Sequence, residues 1–218
     1  MTGFDAGVIW RNLPFLLDGL GLSLVLVAAA TAGGFTAGLG LAVLRLRGPA
    51  PLAWLAAGYI AVMRSVPLIL VLFWFYFLVP LLIGRPVGSL ASALVAFVLF
   101  EAAFYAEIVR GGVRGVAPGQ GQAALATGLR PAQALRLVLL PQALRAMAPV
   151  FVNQVVIVFQ DTSLVYVVSL RDFLTSAGII ASRDGRPFEM YGFVAAAYLL
   201  ICLAGTGLAG AIRRGRPA

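Results

Sequence analysis

A chain of 218 residues that is 61% hydrophobic and 11% charged has too little polar surface to face water on all sides, so the bilayer is its expected solvent. Its formal charge of +8 comes from 16 basic against 8 acidic residues, and every basic residue is arginine. These arginines stand in short clusters between apolar runs, which is the pattern that orients a membrane protein and excludes a nucleic-acid-binding reading.

Five apolar stretches follow one another, each near the length a spanning helix needs. They run over about 20–44, 53–83, 90–109, 149–170 and 191–212. The stretch ahead of the first, MTGFDAGVIWRNLPFLLDG, has Asp5 and Asp18 and no basic cluster, so no cleavable signal peptide is expected. Within the first span, Gly34 and Gly38 are four residues apart, a spacing that suits close helix packing. The fourth span carries Asn153, Gln154, Gln160, Asp161, Thr162 and Ser163, whose polar groups must meet protein or a watery path rather than lipid.

Arginine counts set the orientation. With the N-terminus outside, the inner segments hold Arg45, Arg47, Arg110, Arg114, Arg130, Arg136, Arg145, Arg213, Arg214 and Arg216. The outer segments hold only Arg11, Arg85, Arg171, Arg183 and Arg186, mixed with acidic residues. The excess predicts an N-out, C-in topology.

The chain also lacks the groups for several chemistries. Without lysine it cannot complete a P-loop, and without histidine it has neither a Ser–His pair nor a histidine metal site. The single cysteine, Cys202, lies in an apolar run and can form neither an internal disulfide nor a thiolate cluster. The remaining general bases are scattered carboxylates, so the chain is expected not to be an enzyme.

Residues 119–145, GQGQAALATGLRPAQALRLVLLPQALR, interrupt the apolar runs on the arginine-rich side. Gln120 to Thr127 is helix-forming, Gly128 suits a left-handed C-cap, and Pro131 suits the first turn of a following helix. A short helix, a sharp turn and a second helix outside the bilayer would present a knob to a soluble partner.

This stretch resembles the EAA loop of permease subunits of ABC importers. Gln122-Ala123-Ala124 is followed after three residues by Gly128, and nine residues later come Val138 and then Leu140-Pro141. Gln122 stands where that family usually has Glu, and Val138 where it has Ile. The segments EAAFYAEIVRGGVRGVAPGQ, LPQALRAMAPVFVNQ, FQDTSLVYVVSL and MRSVPLILVLFWFYFLVP are similar to polar amino-acid permeases, with Gln160 in the place of a usual Lys. Arg64-Ser65-Val66-Pro67, FQDTSLVYV and the RDG followed by Glu189-Met190 are most similar to the glutamate/aspartate systems.

The resemblance implies an all-α integral membrane protein of the bacterial inner membrane. Residues 1–218 would form one permease domain with five transmembrane helices, a type I importer transmembrane domain with a cytoplasmic coupling helix. It implies an ATP-binding subunit dimer below, a second permease subunit (a paralogue or a second copy), and a periplasmic solute-binding protein above. It implies no cofactor in this chain, ATP-Mg being held by the partner. The function implied is ATP-driven import of a polar amino acid, glutamate or aspartate first, with glutamine, arginine or histidine as alternatives. An ATPase-independent secondary transporter is disfavoured because no inverted repeat is apparent. Gln122, Ala123, Ala124, Gly128 and Leu129 are the coupling candidates on this resemblance.

Arg64, Glu101, Asp161, Thr162 and Ser163 are candidates for the substrate path. An ionisable group at membrane depth is a functional candidate. Against that, Asp161 with Thr162 and Ser163 could serve a helix break, and Arg64 and Glu101 could pair across helices. Glu107 and Arg110, three apart on one helix, are positioned to pair with each other.

Overall fold

In a computed structural model, residues 4–214 are described, and all regular structure among them is helical. Arg216, counted above among the inner arginines, lies outside the described residues. A short α1 (Gly7–Arg11) leads into α2 (Leu13–Arg47). Then come α3 (Ala50–Ser65), α4 (Leu68–Ile83), α5 (Ser89–Arg114), α6 (Pro118–Ala126), α7 (Pro131–Val168), α8 (Phe173–Asp184) and α9 (Pro187–Arg214). By length and composition α2, α5, α7 and α9 can each cross a membrane, and α3 with α4 are long and apolar enough together to make a fifth crossing if the bent pair is one span.

The centre of the bundle is α5. Of its most apolar window 61% is buried, against 11% for α9. Phe97, Ala102, Ala103, Tyr105, Ala106 and Val109 are all enclosed, so α5 is covered nearly all round, as a central helix must be. It packs along α2, whose buried residues Ala30, Gly34, Gly38 and Ala42 recur every four positions and form one stripe. The two backbones nearly touch there. A β-carbon on Gly34 would sit 2.7 Å from Cβ of Glu101, and one on Gly38 would sit 2.7 Å from the carbonyl oxygen of Ala102. The glycine spacing seen in the sequence is therefore a contact surface.

The stretch 53–83, expected as one span, is two helices bent by 108°. Pro67 causes the break: its ring keeps the preceding residue out of the helical region, and Val66 is extended at φ −113°, ψ 147°. Prolines also leave marks inside helices. Wide π-type turns occupy Trp74–Leu78 in α4 and Leu135–Leu139 in α7, just ahead of Pro80 and Pro141. A proline offers no N–H to the carbonyl four residues back and clashes with it, so the preceding turn widens.

The other difference is α8, which lies between the fourth and fifth spans where only a connection was expected. Twelve residues are too few to register as a span. The helix forms because Asp172 caps it, its Oδ2 and Oδ1 accepting from the N–H groups of Leu174 and Thr175 at 3.0 and 3.1 Å. It stays because Phe173, Ala177, Ile180 and Ala181 form one apolar stripe packed with Val8, Leu16, Met190 and Val194 of α1, α2 and α9. On this same face, the Gly7 backbone N–H, aided by Arg11, holds the Asp5 carboxyl below its usual range.

The α2–α5 approach yields a prediction. Gly38→Leu should overpack the seam by about 1–3 kcal/mol and lower the thermal unfolding midpoint of the purified chain. Gly40→Ala, whose added carbon meets nothing within 4 Å, should leave the midpoint unchanged.

Candidate coupling loop and transport site

The polar interruption folds as a helical hairpin. Pro118 opens α6, and the helix ends in a Schellman motif: the Leu129 N–H donates to the Ala124 carbonyl at 3.3 Å and the Gly128 N–H to that of Leu125 at 3.0 Å. Gly128 adopts φ +86°, the left-handed conformation this motif requires. Thr127 Oγ1 donates to the Ala124 carbonyl at 2.8 Å, closing the last turn. The Arg130 N–H donates to Gln133 Oε1 at 2.8 Å and Pro131 starts α7. Gln142 Nε2 donates to Gln120 Oε1 at 3.2 Å, pinning α6 back onto α7.

This geometry sorts the five coupling candidates. Ala124 is buried and forms the base of α6, which packs on the start of α7. Gln122 and Ala123 are exposed on its outer side, and Gly128 is exposed at the turn. Leu129 is half-buried where the chain re-enters α7. Sequence reasoning missed Leu125, whose side chain is 48% exposed beside Gln122 and Ala123. The signal was an unpaired leucine in an otherwise small and polar helix.

The membrane candidates fall into separate places. Glu101 is fully enclosed in α5, and its Oε2 accepts from Gln154 Nε2 of α7 at 2.9 Å. Its Oε1 has no hydrogen-bond partner among the described residues. Gln154 is thus the hydrogen-bond partner of Glu101 that the sequence left unassigned, although its polarity within an apolar span marks it. Asp161 lies seven residues on, on the same face of α7, and is half-buried. It ends the α-helical part of α7, where a tighter 3₁₀ turn, Thr162–Val168, takes over. Its carboxylate makes no capping bond there. The two hydroxyls instead turn back, Thr162 Oγ1 to the Phe159 carbonyl at 2.7 Å and Ser163 Oγ to that of Gln160 at 2.8 Å. Thr162 is enclosed, whereas Ser163 opens onto a groove of about 600 Å³ with Tyr166, Thr175, Ser182 and Tyr191.

Arg64 is not with them. Its guanidinium lies 4.0 Å from Glu107 and 5.7 Å from the centre of the Phe104 ring. Glu107 also holds Arg45 at 2.8 Å and pairs closely with Arg110, so the expected i, i+3 pair is one arm of a larger cluster. Six residues of α5, roughly 9 Å of helix, separate it from Glu101.

Broken and continuous spans around one central helix, with a short rigid helix projecting at the arginine-rich end, define a multi-pass membrane transport component. Residues 34–216 match the binding-protein-dependent transport system inner membrane component, and the chain belongs to that family. It is 44% identical to the glutamate/aspartate import permease protein GltK of Escherichia coli O6:H1, over 98% of this chain and 99% of that one. It is 32% identical to the probable glutamine ABC transporter permease protein GlnM of Bacillus subtilis, over 91% and 92%. Among solved structures, the crystal structure of an amino acid ABC transporter with histidines superposes with a TM-score of 0.90 at 29% identity, covering 98% and 99% of the two chains. The MetNI methionine ABC transporter in an inward-facing conformation shares the fold, with a TM-score of 0.74 at 22% identity over 96% and 99%. The fold is that of a type I importer transmembrane domain, located in the inner membrane.

The Glu101–Gln154 contact should couple energetically. Gln154→Leu strips Glu101 of its donor and should destabilise by about 1–3 kcal/mol, read as a lower unfolding midpoint. Adding Glu101→Met to that variant should recover most of the loss, because the unpaired carboxylate is then gone.

Proposed function

We propose that this chain is the permease subunit of an ATP-driven importer of acidic amino acids, glutamate or aspartate. The observation that carries the reading is 44% identity to a glutamate/aspartate import permease over nearly the full length of both chains. The hairpin of α6 and the start of α7 supports the ATP-driven part. It presents Gln122, Ala123 and Leu125 outward on a helix held at its start by the Gln120–Gln142 bond and at its end by the Gly128 turn. Such a helix transmits force because it is held at both ends of its turn. In this reading it seats in a groove of a separate ATP-binding subunit, present as a dimer, and ATP-Mg resides there. Closure of that dimer shifts the hairpin and, through α7, moves the helices between outward-open and inward-open states. A periplasmic solute-binding protein delivers substrate, and a second permease subunit, paralogous or identical, completes the path.

Within this subunit Ser163 and Asp161 form the accessible edge of the path and Glu101 with Gln154 its buried base. Every amino acid carries an α-ammonium group, and the half-buried carboxylate of Asp161 has the charge to receive it. The negative side chain of an acidic substrate then needs a cationic or amide partner, which Gln154 supplies in part and the second permease subunit completes. Arg64, engaged with Glu107, is the weaker candidate for that contact.

The test is uptake of labelled glutamate, aspartate, glutamine and arginine by the reconstituted complex. Saturable, ATP-dependent uptake of glutamate or aspartate is expected, and transport of arginine alone would overturn the substrate class. Gly128→Val, which forces a branched residue into the left-handed region at about 1–2 kcal/mol, should uncouple ATP hydrolysis from uptake. Gln122→Glu should be tolerated. Normal uptake by the Gly128 variant would refute the role of the hairpin.

A further inference from the structure

At its arginine-rich end the chain is short of negative charge. Of its eight carboxylates, only Glu107 lies near that end: Asp5, Asp18, Asp172, Asp184 and Glu189 belong to the opposite face, and Glu101 and Asp161 to the interior. Glu107 is shared by Arg45, Arg64 and Arg110, so one negative charge meets three guanidinium groups. Arg110 is the innermost of the three and its side chain is only 15% exposed. Arg45 gives Nη1 to Glu107, and its other guanidinium N–H groups have no partner among the described residues. Two positive charges at the boundary of the bilayer are left to be balanced from outside the chain.

Beside Arg45 there is a place for such a group. A shallow, open cavity of about 240 Å³ lies between the end of α2 and the first turns of α3, lined by Arg45, Ala53, Trp54 and Ala57. The two alanines leave the space, and Arg45 supplies the charge. Trp54 stands at its edge with 79% of its surface exposed, and Leu52 and Leu55 beside it are 47% and 69% exposed. An exposed indole at the end of a span, flanked by exposed leucines, sits where headgroups meet acyl chains.

We infer that the cavity between α2 and α3 binds the phosphodiester of an anionic phospholipid, held by Arg45 and packed by Trp54. Guanidinium N–H groups match phosphate oxygens as a fork, which a zwitterionic headgroup offers with less net charge to gain. Basic pockets between spanning helices on the arginine-rich side are where anionic headgroups are recognised. The lipid would supply the charge the three-arginine cluster lacks and join the ends of α2, α3 and α5. This inference is independent of the substrate assigned above.

The test is lipid retention by the full-length chain, co-purified with its partner subunits. Nanodiscs of phosphatidylcholine and phosphatidylglycerol would be used, with bound lipid counted by native mass spectrometry. Selective retention of phosphatidylglycerol is expected. Arg45→Gln should reduce it about fivefold, the worth of one arginine at a membrane surface, and Trp54→Ala should also lower it. Glu107→Gln should raise retention, because it frees Arg45 for the phosphate, whereas a merely structural role for the cluster would predict a fall. Arg136→Gln, at an exposed residue that does not line the cavity, should change nothing. If Arg45→Gln fails to fold, the Trp54 and Glu107 variants decide. Equal retention of the two lipids, unchanged retention in Trp54→Ala, or a fall in Glu107→Gln would overturn the inference.

Discussion

The close approach of α2 to α5 is the constraint on which the other elements depend. A bilayer gives little hydrophobic drive for one helix to leave lipid for another, so contact must come from packing and from satisfied polar groups. Gly34 and Gly38 bring the α2 backbone against Glu101, Ala102 and Tyr105. That approach closes one side of α5 and leaves its other faces for α3, α4 and α7. Glu101 can be buried only because α2 seals it on one side and Gln154 of α7 supplies a donor on the other. The seam thus fixes both the centre of the bundle and the position of its most costly buried side chain.

Prolines divide the long helices into distinct segments. Pro67 breaks the second crossing into two helices, and Pro80 and Pro141 widen the turns before them. The π turn at Leu135–Leu139 lies between the α6 hairpin and the long membrane part of α7. Leu135, its first residue, is buried, and α6 packs against this turn, so the hairpin meets α7 at its least regular turn. The Schellman motif at Gly128 keeps the other end rigid. In the proposed function, the hairpin would act as a lever joined to its span through this widened turn, which would pass a rigid-body shift without unwinding the membrane segment itself.

Hydropathy alone makes the spanning helices legible in the sequence, because about 20 apolar residues leave few alternatives. Local stereochemistry does the same for the hairpin: Gly128 and Pro131 permit few backbones, and those adopted are the expected ones. The bend at Pro67 was hidden because hydropathy averages across a break that costs no apolarity. The helix α8 was hidden because a span-length window does not resolve twelve residues, although Asp172 and the stripe Phe173, Ala177, Ile180, Ala181 carried its signature. Side-chain partners were least legible. Arg64 and Glu101 were each ambiguous between pairing and lining a path, and tertiary contact alone sent Arg64 to Glu107 and Glu101 to Gln154.

The two clusters on α5 are built on opposite electrostatic terms. Glu101 is enclosed with one neutral donor and an oxygen that has no partner among the described residues, an arrangement whose desolvation is not offset there. Glu107 has three cationic neighbours, more than one carboxylate can neutralise. Stability alone would favour moving an arginine towards Glu101 or replacing Glu101 with an apolar side chain. Roughly 9 Å of the same helix keeps the surplus of each sign apart. The same helix therefore carries an unoffset carboxyl in its interior and a surplus of positive charge at its arginine-rich end, and the fold keeps the two apart although stability would favour bringing them together.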